Sequence, residues 1–121
     1  MRMKHILLVE IGMGIDQHGQ DVTTAAVRAV EHAIRPNALP GLKALLPGGS
    51  TDNMRVDVTL AVPRDAGKLD IDRVKAAFPY GKVSVRVVDG GMVARSHSLL
   101  PDQGDITDEI YVVNAAVEVG W

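Results

Sequence analysis

Residues 54 to 62 alternate without a break: Met54, Val56, Val58, Leu60 and Val62 are apolar, and Arg55, Asp57, Thr59 and Ala61 fall between them. A period of two places the first set on one face of a strand. That face is continuous and apolar, so the chain must supply a second layer to cover it.

Two segments have the spacing to do so. Asp21 offers an N-cap, and Val22, Ala25, Ala26, Ala29, Val30 and Ala33 follow at helical intervals until Pro36 closes the helix near Arg35. Asp70 caps a shorter helix in which Ile71, Val74 and Phe78 share a face, ended by Pro79-Tyr80-Gly81. Three further strands are expected. His5 to Ile11 is apolar at both parities, Val83 to Val87 alternates up to Gly90-Gly91, and Ile110 to Val119 closes the chain. Between them, 37–52 is punctuated by Pro40-Gly41 and Pro47-Gly48-Gly49, with a helical turn around Leu42 to Leu46, and 94–108 reads as an exposed polar loop.

The order β-α-β-α-β-β predicts an α+β two-layer sandwich: a four-stranded mixed sheet with two helices on one face, the last two strands being antiparallel neighbours. The 121 residues fit one domain, 1–121. Aromatic residues are only 3%, so the core must be built from Val, Leu, Ile and Ala.

The same composition removes whole classes of function. Thirteen basic residues against fifteen acidic ones leave a net charge of −2, with no basic patch and few stacking rings for nucleic acid. The absence of cysteine excludes disulfides, thiolate zinc sites and cysteine nucleophiles. Met1-Arg2-Met3-Lys4 precedes an apolar run, Ile6 to Val9, that Glu10 interrupts well short of a signal peptide or membrane span. A soluble, cytoplasmic protein without a membrane partner is expected.

A homo-oligomer is also expected. Two helices cover one face of the sheet, yet Ile110 to Val119 and Ile6 to Val9 are apolar on both faces. An apolar sheet face left over is an interface, unless loop 94–108 folds across it.

One segment brings acid–base groups and glycines together: Gly12-Met13-Gly14-Ile15-Asp16-Gln17-His18-Gly19-Gln20-Asp21. Read as a strand–loop–helix junction, it would offer backbone N–H groups at a helix N-terminus to an anionic small molecule, cradled by Gly12, Gly14, Gln17, Gly19 and Asp21. Asp16 could orient His18 for general acid–base work. With Glu10, the same pair could ligate a metal, although no established ligand spacing is present, and no cofactor can be named. In the competing reading, Asp16 stabilises a turn, His18 closes the loop, and the segment is an element of assembly in a non-catalytic oligomer. The third position of a dinucleotide fingerprint falls on Gln17, and the lysine and hydroxyl of a phosphate-binding loop are missing.

Other candidates have plainer roles. His32 complements a helix C-terminus. His97 sits in a solvated Ser-His-Ser tip, His5 lies at a strand edge, Thr23 and Thr24 belong to a first helical turn, and Asn114 and Glu118 share a strand face.

Gly12, Gly14, Asp16, His18 and Gly19 spell G-x-G-x-D-x-H-G. The chain thereby resembles a small conserved hypothetical family of bacteria and plants, and the Glu10-Ile11 lead-in, the Ala-rich helix and Asn114-Ala115-Ala116-Val117-Glu118 extend the resemblance over nearly its whole length. The resemblance implies a fold similar to tubulin C-terminal-domain-like and chorismate-mutase-like proteins. It implies no assigned activity.

Overall fold

A computed structural model describes residues 3–121; Met1 and Arg2, read above as part of a charged lead-in, lie outside the described residues. The chain forms strands β1 (Ile6–Asp16), β2 (Arg55–Val62), β3 (Lys82–Asp89), β4 (Met92–Arg95) and β5 (Glu109–Gly120), with helices α1 (Val22–Ile34), α2 (Leu42–Leu45) and α3 (Ile71–Lys75). The order across the sheet is β1-β5-β2-β3, and β4 also pairs with β5. Only β2 and β3 are parallel; β5 runs antiparallel to β1, β2 and β4.

The α+β layering follows from the alternation. Val56, Val58, Leu60 and Val62 of β2 and Val113, Ala115, Val117 and Val119 of β5 face α1, whose Ala25, Ala26, Ala29, Val30 and Ala33 are buried against them. Val74 of α3 joins the same core. Small residues bring α1 close to the sheet, so little volume is left for aromatic rings. Leu60 is fully buried at the centre, and its replacement by Ala would cost about 2–5 kcal/mol.

Four expectations are corrected. The sheet has five strands instead of four, because Met92–Arg95, which runs into the start of the segment read as loop, pairs with Glu109–Val112. Four residues between Gly90-Gly91 and a polar stretch carry too short a pattern to reveal a strand. The two C-terminal strands predicted as neighbours are not adjacent: β5 lies between β1 and β2, while β3 sits at the edge beside β2. The short β4 provides the antiparallel hairpin partner instead.

Third, α3 ends at Lys75, so Phe78 lies beyond it. Pro79 disfavours helical backbone at the preceding residue, and Ala77 and Phe78 close with tighter bonds to Val74 and Lys75. Fourth, Gly12 to Asp16 is strand, paired with Tyr111 to Ala115; the loop is confined to residues 17–21.

The side of the sheet away from α1 carries Val9, Ile11, Met13 and Ile15 of β1, followed across β5 by Glu118, Ala116, Asn114 and Val112. Val9, Ile11 and Met13 are 57%, 67% and 49% exposed. Loop 96–108 does not cover them. No helix among the described residues is long and apolar enough to cross a membrane.

Candidate functional site

Gly12 and Gly14 project toward α1, and a Cβ on either would run into the helix backbone. At Gly12 it would lie 2.5 Å from the Ala33 nitrogen; at Gly14 it would lie 2.8 Å from the Arg28 carbonyl carbon and closer still to the Ala25 oxygen. Both distances are far inside van der Waals contact. The two glycines therefore seat α1 directly on β1 and take no part in a loop cradle.

Where β1 stops, its last residue organises the turn. Asp16 is buried, accepts a hydrogen bond from the Asp21 amide at 2.8 Å, and lies 3.6 Å from the Arg28 guanidinium. Asp21 then caps α1, its carboxylate accepting from the amides of Thr23 and Thr24 and from the Thr24 hydroxyl. Thr23 Oγ1 accepts from the Asp70 amide, tying the start of α1 to the start of α3. The helix N-terminus is thus occupied by the protein's own carboxylates, which repel a bound anion.

Asp16 does not orient His18. The partner of His18 Nδ1 is Asp105 Oδ2, 2.7 Å away and 87 residues later. The Asp105 side chain has no exposed surface, while that of His18 is 19% exposed. Asp105 also accepts from the amides of Gly19 at 2.8 Å and Leu100 at 2.9 Å, and from Gln20 Nε2 at 3.0 Å. Burial works against ionisation, but the bonds from Leu100, Gly19, His18 and Gln20 outweigh it and hold this carboxyl well below the usual range.

Gln20 completes the junction. Its amide nitrogen also reaches the carbonyls of Thr107 and Glu109, and its oxygen accepts from the amides of Ile106 and Thr107. Gly19 and Gln20 both have positive φ, 101° and 50°. Glycine adopts this without penalty; at Gln20 the side-chain bonds offset the strain. Gln17 is exposed and takes no part in the junction.

The metal set of Asp16, His18 and Glu10 does not converge. Glu10 lies six residues from Asp16 along β1, about 20 Å at the rise of a strand, where it accepts a hydrogen bond from Asn37. Among the described residues, no group of three or more His, Cys, Asp or Glu is placed to hold a metal ion.

Sequence reasoning missed Asp105 and Gln20. Pairings across 85 to 89 residues have no periodicity, and Asp105 lies in a run of polar and glycine residues that looks uniformly solvated. His32 also differs from its expectation: its Nδ1 accepts from the Met13 amide at 2.9 Å, while Arg28 donates to the Ile15 carbonyl at 2.7 Å. Two α1 side chains thereby occupy backbone groups on the free edge of β1. His97, in contrast, is exposed with φ 58° in a turn closed by Ser96 and Ser98, and His5 stacks against Trp121, their rings 4.7 Å apart.

The fold recurs elsewhere. The crystal structure of an FtsZ-like protein of unknown function from Nostoc punctiforme PCC 73102 superposes with a TM-score of 0.85 at 39% identity, covering 95% of this chain and 93% of that one. No curated protein matches. The profile of the conserved hypothetical protein family Lin0512_fam matches residues 6–119, nearly the whole chain, and the chain belongs to that family.

Proposed function

We propose that this chain is the subunit of a non-catalytic homo-oligomer, in which the G-x-G-x-D-x-H-G segment secures the fold that presents an association surface. One observation carries the reading: Val9, Ile11 and Met13 stand in a row on the uncovered sheet face, each about half exposed or more. Contiguous apolar surface of this kind is stabilised by burial against a partner. The motif residues, meanwhile, are engaged internally: Gly12 and Gly14 seat α1, Asp16 accepts from the amide of its capping residue Asp21, and His18 and Gly19 bind Asp105. The free edge of β1 is partly occupied by His32 and Arg28, so the subunits meet through the face instead of by strand addition.

Sedimentation of the full chain at micromolar concentration tests this. The wild type should run as a closed oligomer, and Ile11→Glu should run as a folded monomer. A monomeric wild type overturns the proposal.

A second reading, an acid–base site for a small molecule at His18, is favoured by one feature. A buried carboxylate holds Nδ1 of a partly exposed imidazole, the arrangement that leaves the other ring nitrogen able to exchange a proton with a ligand. The carboxylates of Asp16 and Asp21 disfavour an anionic ligand there. Titration with a neutral and a cationic small molecule, acetamide and methylammonium, followed through the amide resonances of Gly19 and Gln20, separates the readings. Saturable shifts support a site, and unchanged resonances support the structural role.

A further inference from the structure

At the end of α1 remote from His18, the sheet and three surrounding segments enclose a cleft of about 420 Å³, a size suited to a small ligand. Ile34 of α1, Met54 and Val56 at the start of β2, and Val119 of β5 contribute apolar lining. Phe78 and Tyr80, from the turn after α3, are also part of the wall. The chain has one Phe, two Tyr and one Trp, so half of its aromatic side chains line this one cleft.

The charges in the cleft are unequal. Glu31 is paired with Arg35 at 3.0 Å, and the Arg35 side chain is 73% exposed, so this pair is satisfied at the rim. Glu10, on the core face of β1, is half-buried. Asn37 donates to one of its oxygens, but among the described residues no cation lies within ion-pair distance. A carboxylate held against apolar surface with a single neutral donor is incompletely solvated. Consistent with that, burial raises the Glu10 pKa against the opposing bond from Asn37. The faces of aromatic rings such as Phe78 and Tyr80 attract cations, the same sign of ligand that the carboxylate favours.

We propose that this cleft binds a small organic cation with an apolar body, such as a primary or quaternary amine on a ring or short chain, with Glu10 as its counter-ion. The ammonium would pair with the free Glu10 oxygen, and the apolar body would lie along Ile34, Met54 and Phe78. Tyr80, 49% exposed, would flank the entrance.

The isotope-labelled full chain should be titrated, by amide chemical shift, with 2-phenylethylamine, n-butyltrimethylammonium and 3-phenylpropionate. Both cations should produce saturable shifts at residues lining the cleft, while the carboxylate of similar body should not. Glu10→Gln keeps an acceptor for Asn37 and removes the charge; it should weaken the cations by about tenfold, the scale of a lost charge-assisted bond. Tyr80→Ala should weaken them by about threefold. Equal binding of phenylpropionate would overturn the proposal, as would undiminished cation affinity in Glu10→Gln or no saturable shift at all. Should Glu10→Gln fail to fold, the comparison of cation with anion in the wild type, together with Tyr80→Ala, still decides the matter.

Discussion

His18 and Asp105 stand 2.7 Å apart, Nδ1 to Oδ2, and this pair closes the turn after β1 against the loop before β5. The carboxylate is the hub, since Gly19, Gln20 and Leu100 donate to it as well. Asp105→Asn would replace an acceptor-only group with one that presents N–H hydrogens to these donors. The melting temperature should fall by roughly 5 °C or more, and His18→Ala, which leaves three donors in place, should cost less.

The same carboxylate gives the fold an acid-sensitive component. Its folded pKa is depressed below the ordinary 3.8, so the unfolded chain binds the proton more readily. The stabilisation is fully present above the unfolded value and is lost as pH falls below about 4 toward the folded pKa. Chemical denaturation between pH 5 and about 2 should show a steeper loss in the wild type than in Asp105→Asn. Parallel curves would mean that the carboxylate carries no such linkage.

Gly14→Ala and Gly12→Ala test whether the motif glycines serve packing. Each added methyl meets helix backbone, which cannot swing aside as a side chain could. Overpacking costs about 1–3 kcal/mol even where side chains yield, so either variant should lose at least that much or fail to accumulate folded. Gly41→Ala is the control, since nothing lies within 4 Å of its added Cβ; its melting temperature should be nearly unchanged.

These glycines also show where the sequence was readable. Alternation in 54–62 and the Asp21-capped Ala/Val helix were legible, since each is a local period imposed by one buried face. The resemblance carried on Gly12 to Gly19 led to the right family and fold. The role of Gly12 and Gly14 was not legible, because a glycine needed for positive φ and one needed for close approach look identical in a sequence. Here neither has positive φ, whereas Gly19 does. Asp16 and His18 were read as a pair, with turn-forming and loop-closing roles as the competing reading, but the partner of His18 Nδ1 is Asp105. Nearness in sequence suggested a contact that the strand prevents: Asp16 ends β1 turned toward the core, and His18, two residues on, lies in the turn that faces Asp105.

His32→Ala should reveal what the α1 side chains do at the edge of β1. The ring accepts from the Met13 amide; without it, that N–H is exposed on a strand rich in Ile and Leu. Water can replace the lost acceptor, so stability should fall by only about 0.5–1.5 kcal/mol. Aggregation on heating should rise, because an unpaired edge templates strand addition. Light scattering below the melting transition is the measurement, and scattering equal to that of the wild type would show that the edge is protected by other means.

Tyr111 supplies the last test, at the other extreme of pH. It lies on the core face of β5, 4% exposed, and its hydroxyl donates to Asp65 Oδ2 at 2.9 Å. Burial, followed by the hydrogen bond and the negative charge of Asp65, pushes the phenol up to about 12. A group whose folded pKa is raised stabilises the fold below its unfolded value and loses that contribution as pH rises through the folded one. The window therefore runs from 10.0 to about 12. Ultraviolet titration should show a late phenolate that is absent in Tyr111→Phe. At neutral pH the variant should lose about 1 kcal/mol, the net worth of a hydrogen bond to a charged acceptor after part of its solvation is restored. Asp65 has left-handed backbone, φ 57°, so the bond also fixes a residue that would relax without it. Hydrogen exchange should then quicken at Lys68 and Leu69, whose amides close the turn that Asp65 begins. Unchanged exchange there would confine the role of Tyr111 to packing.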